Sequence, residues 1–176
     1  RYTEQFDGVL LTPETMEIAP ADMKKSADTL PKEARDIISA AADRIRSFHE
    51  KQKFEGFEYT DALGNRLGQI VRPVKRAGVY VPGGRAPYPS TLLMNVIPAR
   101  IAGVEEIVAV HPTPDGMLNP AVMAAALEAG VDRMFRIGGA QAVAALAFGV
   151  DPVPRADVIV GPGNIFVATA KKQLFG

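Results

Sequence analysis

Residues 77–111, AGVYVPGGRAPYPSTLLMNVIPARIAGVEEIVAVH, decide the fold. They predict a buried strand over Gly78–Val81, a Pro/Gly-rich loop, an apolar helix from about Ser90 to Ala102, and a second buried strand over Glu106–Val110. Together these make a βαβ unit. Ser90 is expected to cap the helix through its hydroxyl, and Gly103 to end it in a left-handed conformation. Pro98 removes a backbone donor inside the helix, so a bend or break is expected near Asn95.

Downstream the pattern continues. Ala-Gly-Val stands at 77–79, 102–104 and 129–131, and the last two copies each precede an acidic residue and a strand. Asn119-Pro120 opens the intervening helix by the cap-plus-proline rule. A further helix from about Gly139 to Phe148 stops at Gly149, and a strand at Asp157–Val160 runs into Gly161-Pro162-Gly163-Asn164 and a last helix. Strands alternating with helices imply a parallel sheet, and nearly continuous apolar strands imply helices on both of its faces.

Upstream, residues 1–54 read as helical. Pro20 suits a first helical turn, with Met23, Ala27 and Leu30 following on one side. A longer helix is expected from Pro31 to Lys53, with Ile37, Ala41, Ile45 and Phe48 as its apolar stripe and Arg35, Asp36, Asp43, Arg46 and Glu50 as a solvated face. His49, near the end of that helix, reads as a surface or packing residue, because no partner at helical spacing completes a metal pair. From Gly56 to Val74 the pattern turns to strands, FEYT and RLGQIVRPV, around a hairpin turn at Gly64-Asn65.

The chain has 176 residues, 47 % of them apolar and 23 % charged, which suits one well-buried core plus an appendage. Twenty basic and twenty acidic residues cancel. That balance argues against nucleic acid and anionic membrane as partners. Cysteine is absent, which excludes disulfides and thiolate metal sites, and no apolar run approaches the roughly 20 residues of a membrane helix. A cytoplasmic protein is expected. The sequence starts without Met, inside an apparent helix or turn, as an excised piece of a longer chain does.

In a parallel sheet, ligands bind beyond the carboxyl ends of the strands. The loops there are PGGRAPYPS, HPTPDG, GGAQA and GPGN. Three hold paired or near-paired glycines, which let a ligand approach the backbone and face helix N-termini, although tight chain reversal needs glycine too. The dinucleotide fingerprint is incomplete, with Phe166 where its third glycine belongs, and no Walker lysine follows. The residues therefore point to a small-molecule or phosphate-bearing ligand without naming it. Gln141 and Asn164 stand where an amide donates to a ligand or caps a helix. Tyr80 reads either as core or as a hydroxyl for the site. Arg85 is an anion-facing candidate in an exposed loop, and His111 closes a strand beside two prolines.

The stretches VYVPGGRAPYPSTLLMNVIPARIAGV, IGGAQAVAALAFGV and VGPGNIFVATAKKQ closely resemble the histidinol dehydrogenase family. Weaker similarity extends through FDGV, RIRSFHEKQ and LGQIVRPV, so the resemblance covers nearly the whole chain. It implies an NAD-dependent, zinc-containing homodimer that oxidises L-histidinol through the aldehyde to L-histidine in two hydride transfers, with a dinucleotide and a small substrate as its ligands. Carried over by motif, cofactor-binding residues fall on Tyr80, Gln141 and Asn164, and Ser90 matches a serine near the substrate. The family's zinc ligands and its Glu-His acid/base pair have no match, neither His49 nor His111 among them. The chain alone is therefore expected to bind no zinc and to be inactive.

The expected architecture is α/β: a parallel, Rossmann-like sheet with helices on both faces, preceded by a helical segment and a β-hairpin. Residues 1–76 form the helical and hairpin part, and 77–176 the nucleotide-facing domain. Two other readings stay open: a free-standing nucleotide-binding or dimerisation module, and a relative that oxidises another alcohol such as a sulfonated diol.

Overall fold

A computed structural model describes residues 2–83 and 88–175. Four helices open the chain: α1 (Tyr2–Asp7), α2 (Pro13–Met16), α3 (Pro20–Asp28) and α4 (Lys32–Glu50). A hairpin of β1 (Phe57–Thr60) and β2 (Arg66–Gln69) follows. The remainder alternates: β3 (Arg76–Tyr80), α5 (Pro89–Ile101), β4 (Glu106–Val110), a 3-10 turn at Pro114–Gly116, α6 (Pro120–Ala129), β5 (Arg133–Phe135), α7 (Gly139–Phe148), β6 (Val158–Val160) and α8 (Ile165–Gln173).

Strands β3 to β6 form one parallel sheet in the order β5-β4-β3-β6. The chain steps outward from β3 to β5, then returns across the sheet to place β6 on the other side of β3. The order reverses between β3 and β6, and in open α/β sheets such a switch point at the carboxyl edge is where ligands bind.

Alternation along each strand sorts the side chains between two cores. Ala77, Val79, Ile107, Ala109 and Met134 join a core with α3, α4, α5 and α6. Tyr80, Val108, Val110 and Phe135 point the other way, into a core with α7 and α8. Helices cover both faces, as the apolar strands require. Gly78 lies on the second face, where an added Cβ would stand 3.0 Å from Leu146 and 3.1 Å from Ala156, so its lack of a side chain lets α7 settle on the sheet.

Several local expectations are corrected. Helix α5 begins at Pro89 after Tyr88, with no side-chain cap, so Ser90 stands in the first turn rather than capping it. Proline's fixed φ suits the first helical position and starts the helix one residue early. The same helix runs through Pro98 without a break. Val96 and Ile97 are buried in the first core, and packing of that kind outweighs one missing backbone bond. In α4 the stripe against the core is Ile38, Ala41, Ala42 and Ile45, whereas Ile37 and Phe48 are 71 % and 62 % exposed. Spacings of three, one and three follow the helical repeat more closely than steps of four.

The hairpin turn is a five-residue loop organised by Asp61, whose carboxylate accepts from the backbone N–H of Leu63 and Asn65, both at 2.8 Å. Gly64 alone adopts a positive φ there, of 84°. Gly103 (φ 90°) and Gly130 (φ 82°) end α5 and α6 as expected. Asn119 caps α6, its Oδ1 accepting from Ala121 and Val122.

Outside the outermost strand β5, residues 16–18 run antiparallel to it. Ile18 N–H donates to Met134 O and Arg136 N–H to Met16 O, both at 2.8 Å. The Arg133 guanidinium forks onto the Glu17 carboxylate at 2.8 and 2.6 Å while lying over the Phe135 ring. Among the described residues, no helix is long and apolar enough to cross a membrane.

Candidate functional site

Parallel pairing puts the carboxyl ends of β3, β4, β5 and β6 on one edge, so the glycine-containing loops share it. Tyr80, Gln141 and Asn164 all lie at that edge, on the side covered by α7 and α8. Residues 84–87 lie outside the described ones, and with them the reading of Arg85.

Tyr80 is the last residue of β3 and is only 4 % exposed. Its hydroxyl accepts from the backbone N–H of Gly139 at 2.9 Å, at the start of α7. Burial pushes the phenol above its usual range, and the Asp7 carboxylate adds to that, against the Gly139 N–H. Tyr80 therefore joins the end of β3 to the GGAQA loop, with its ring in the core. Gln141 folds back onto the same turn, its Oε1 2.8 Å from where a Gly139 Cβ would stand. In the sequence Tyr80 belongs to the first strand of the βαβ unit and Gln141 to the GGAQA loop, and the structure brings them to one helix N-terminus.

Asn164 caps α8, its Oδ1 accepting from Val167 N–H at 3.1 Å. An amide used this way still has its NH2 to offer. Gly161, which starts the GPGN loop, has φ 101°, and an added Cβ would stand 2.1 Å from the Tyr80 carbonyl oxygen. No other residue fits there, because the loop passes directly over the end of β3 at the switch point. Lys171 Nζ donates to Gly161 O at 2.6 Å from two turns further along α8. Ser90 is exposed in the first turn of α5, on the opposite face of the sheet from Tyr80.

A cavity of about 290 Å³ opens beside the loop after β4, lined by Gly83, His111, Pro112, Met117 and Asn119 among others. Neither Tyr80, Gln141 nor Asn164 lines it. The His111 ring is 3 % exposed, with Nδ1 3.1 Å from Val81 O. A carbonyl only accepts, so Nδ1 carries the proton. Burial pushes the imidazole below its usual range, opposed by that bond, and keeps it neutral. Gly83 and Gly138 both press on Pro112, where a Cβ at either would come within 2.9 Å of the proline ring.

Two residues of this edge escaped the sequence reading. Asp7 is 9 % exposed, and burial raises its carboxyl above the usual range. Nothing in FDGV announces that burial. Lys171 had a usable signal, since its spacing of seven from Asn164 puts both on one side of α8. Among the described residues, no group of three His, Asp or Glu side chains is arranged to hold a metal.

The profile of the histidinol dehydrogenase family matches residues 1–176. Histidinol dehydrogenase of Dechloromonas aromatica is 54 % identical over 99 % of this chain and 41 % of its own length. That of Pseudomonas aeruginosa is 55 % identical over 99 % of this chain and 40 % of its own length. The crystal structure of histidinol dehydrogenase from Elizabethkingia anophelis superposes with a TM-score of 0.92 at 34 % identity, covering 98 % of this chain and 40 % of that one. The chain thus spans about two fifths of the length of the relatives it matches.

Proposed function

The chain belongs to the histidinol dehydrogenase family, and on that premise we propose that it is the nucleotide-facing part of an NAD-dependent enzyme that oxidises L-histidinol through the aldehyde to L-histidine. One observation carries the dinucleotide reading. At the β3/β6 switch point, Gly161 crosses the end of β3 with no room for a side chain, and two helices, α7 and α8, begin beside it. Residues 162–164 are exposed there, and a surface loop leading into a helix start is suited to an extended polar ligand.

The residues present fit a dinucleotide in limited roles. Asn164 offers its amide NH2, and Gln141 offers its carboxamide at the first turn of α7. Tyr80 acts indirectly, since its hydroxyl fixes Gly139 and through it the turn that carries Gln141. NAD, when bound, supplies the hydride acceptor. Zinc is part of the proposal for the whole enzyme, and no donor set for it stands among the described residues. A homodimer in the cytoplasm and a substrate contact at Ser90 complete the reading.

Titrating NAD into ¹⁵N-labelled chain tests it. Shifts are expected at Gly139–Gln141 and Gly161–Asn164, with a dissociation constant near or above about 1 mM, about 4 kcal/mol of binding, because the Tyr80 hydroxyl and the Asn164 cap are already engaged internally. Shifts confined to α3 and α4, or none at all, would overturn the dinucleotide reading.

A further inference from the structure

The partly buried arginines that anchor this sheet are matched by carboxylates: Arg76 by Glu106, Arg100 by Asp132 and Arg133 by Glu17. Lys171 is different. Half-buried on α8, it makes one hydrogen bond, to the neutral carbonyl of Gly161, and no ion pair with any described residue. Taking an ammonium even partly out of water without a counter-charge is unfavourable, and the Gly161 carbonyl is its one protein acceptor among the described residues. Burial accordingly pulls its pKa down from the ordinary lysine range.

The location is specific. Gly161 directly follows β6, and its carbonyl belongs to the residue whose Cα side faces the Tyr80 backbone. The Lys171 side chain runs back along α8 toward its N-terminus, as helical side chains do, and ends at the loop that Asn164 closes. The charge therefore stands at the switch point rather than in bulk solvent.

We infer that Lys171 is the anion-recognising group of the β3/β6 switch point, its ammonium bridging the Gly161 carbonyl and a phosphate of the ligand. This deepens the dinucleotide reading above and rests on it for the source of the phosphate, which is the pyrophosphate of NAD rather than free inorganic anion. A lysine acting as a point charge suits a pyrophosphate, which presents several equivalent oxygens and demands no planar fork.

The test compares the natural chain with Lys171→Met, Lys171→Arg and Lys172→Met, the last removing the same charge from the exposed neighbour. Each is titrated with NAD, inorganic pyrophosphate and adenosine. Lys171→Met is expected to weaken NAD and pyrophosphate by about tenfold and to leave adenosine unchanged, while Lys171→Arg stays within about threefold and Lys172→Met matches the natural chain. Equal NAD affinity in Lys171→Met and the natural chain overturns the inference and leaves the dinucleotide reading standing. Pyrophosphate binding that depends on Lys171, with no NAD binding at all, supports the anion site and overturns the dinucleotide reading. Should Lys171→Met fail to fold, the Nζ resonance of Lys171 in the natural chain decides: a shift on adding pyrophosphate supports the inference, and no shift overturns it.

Discussion

The two faces of the sheet are built differently. On one, four helices close over Val79, Leu92, Ile107, Val122 and Met123, a core of aliphatic side chains and methionine with no solvent access. On the other, two helices cover a core that includes a tyrosine hydroxyl tied to a helix start, and both helices begin beside the switch point. The first face supplies stability. The second accepts polar groups in its core, and what it gains is fixed backbone positions at the switch point.

The largest effect expected from this contrast is on the first face. Leu92→Ala removes a fully buried side chain and should cost about 2–5 kcal/mol in urea unfolding, with the NAD-induced shifts at Gly161–Asn164 unchanged in the folded fraction. A loss well under 1 kcal/mol would mean that this core is looser than its burial implies.

Gly161→Ala comes next. The positive φ and the collision with Tyr80 O should cost about 1–3 kcal/mol, but here the NAD shifts should vanish as well, because the loop must move off β3. Tyr80→Phe leaves the Gly139 N–H without its acceptor and should cost about 1–3 kcal/mol, with resonances perturbed at Gly139 and Gln141 rather than in α5. Asn164→Ala should cost about 1 kcal/mol from the lost cap and weaken NAD further than that cap explains. If Tyr80→Phe and Asn164→Ala leave the NAD titration untouched, the second face is a core like the first.

The smallest effect is a pH dependence. The folded pKa of His111 lies below the unfolded value of about 6.5, so the unfolded chain binds more protons as pH falls through that value. Stability contributed by neutral His111 is complete above about 6.5 and is lost as pH drops toward the folded pKa. Asp7 has the opposite sign, since its raised pKa means that ionising it costs stability as pH rises through the carboxylate range, so the two windows separate. His111→Gln should flatten the fall of the unfolding midpoint as pH drops below about 6.5. A slope unchanged in that variant would assign the dependence elsewhere.

The alternation of strands and helices was legible because each boundary rests on local chemistry: Asn119 caps, and Gly103 and Gly130 take left-handed conformations that other residues resist. The same three-residue string serves another purpose at 77–79, where Gly78 sits inside a strand, as expected, and allows the close approach of Leu146. Local rules do not separate those uses, since one depends on φ and the other on a neighbour distant in sequence. Gln141 and Asn164 were legible as residues of the site edge for the same local reason. Tyr80 was legible only as an ambiguity between core and site, and the structure gives it both positions at once, ring in the core and hydroxyl at the edge. The electrostatic influence of Asp7 on that hydroxyl joins residues far apart in sequence and leaves no mark on either segment.

The strand of residues 16–18 laid along β5 makes the sheet chemically one-sided. A β-sheet recruits further strands through unpaired N–H and C=O groups at its margins. At β5 those groups are already bonded, and the Arg133–Glu17 fork locks the cover in place. At the opposite margin, among the described residues, β6 pairs only with β3. Any peptide, second copy or longer polypeptide that extends this sheet by strand addition must enter beside Val158–Val160, immediately next to the loop that carries Gly161. Growth of the sheet and ligand access to the Gly161 loop are therefore competing events at a single margin.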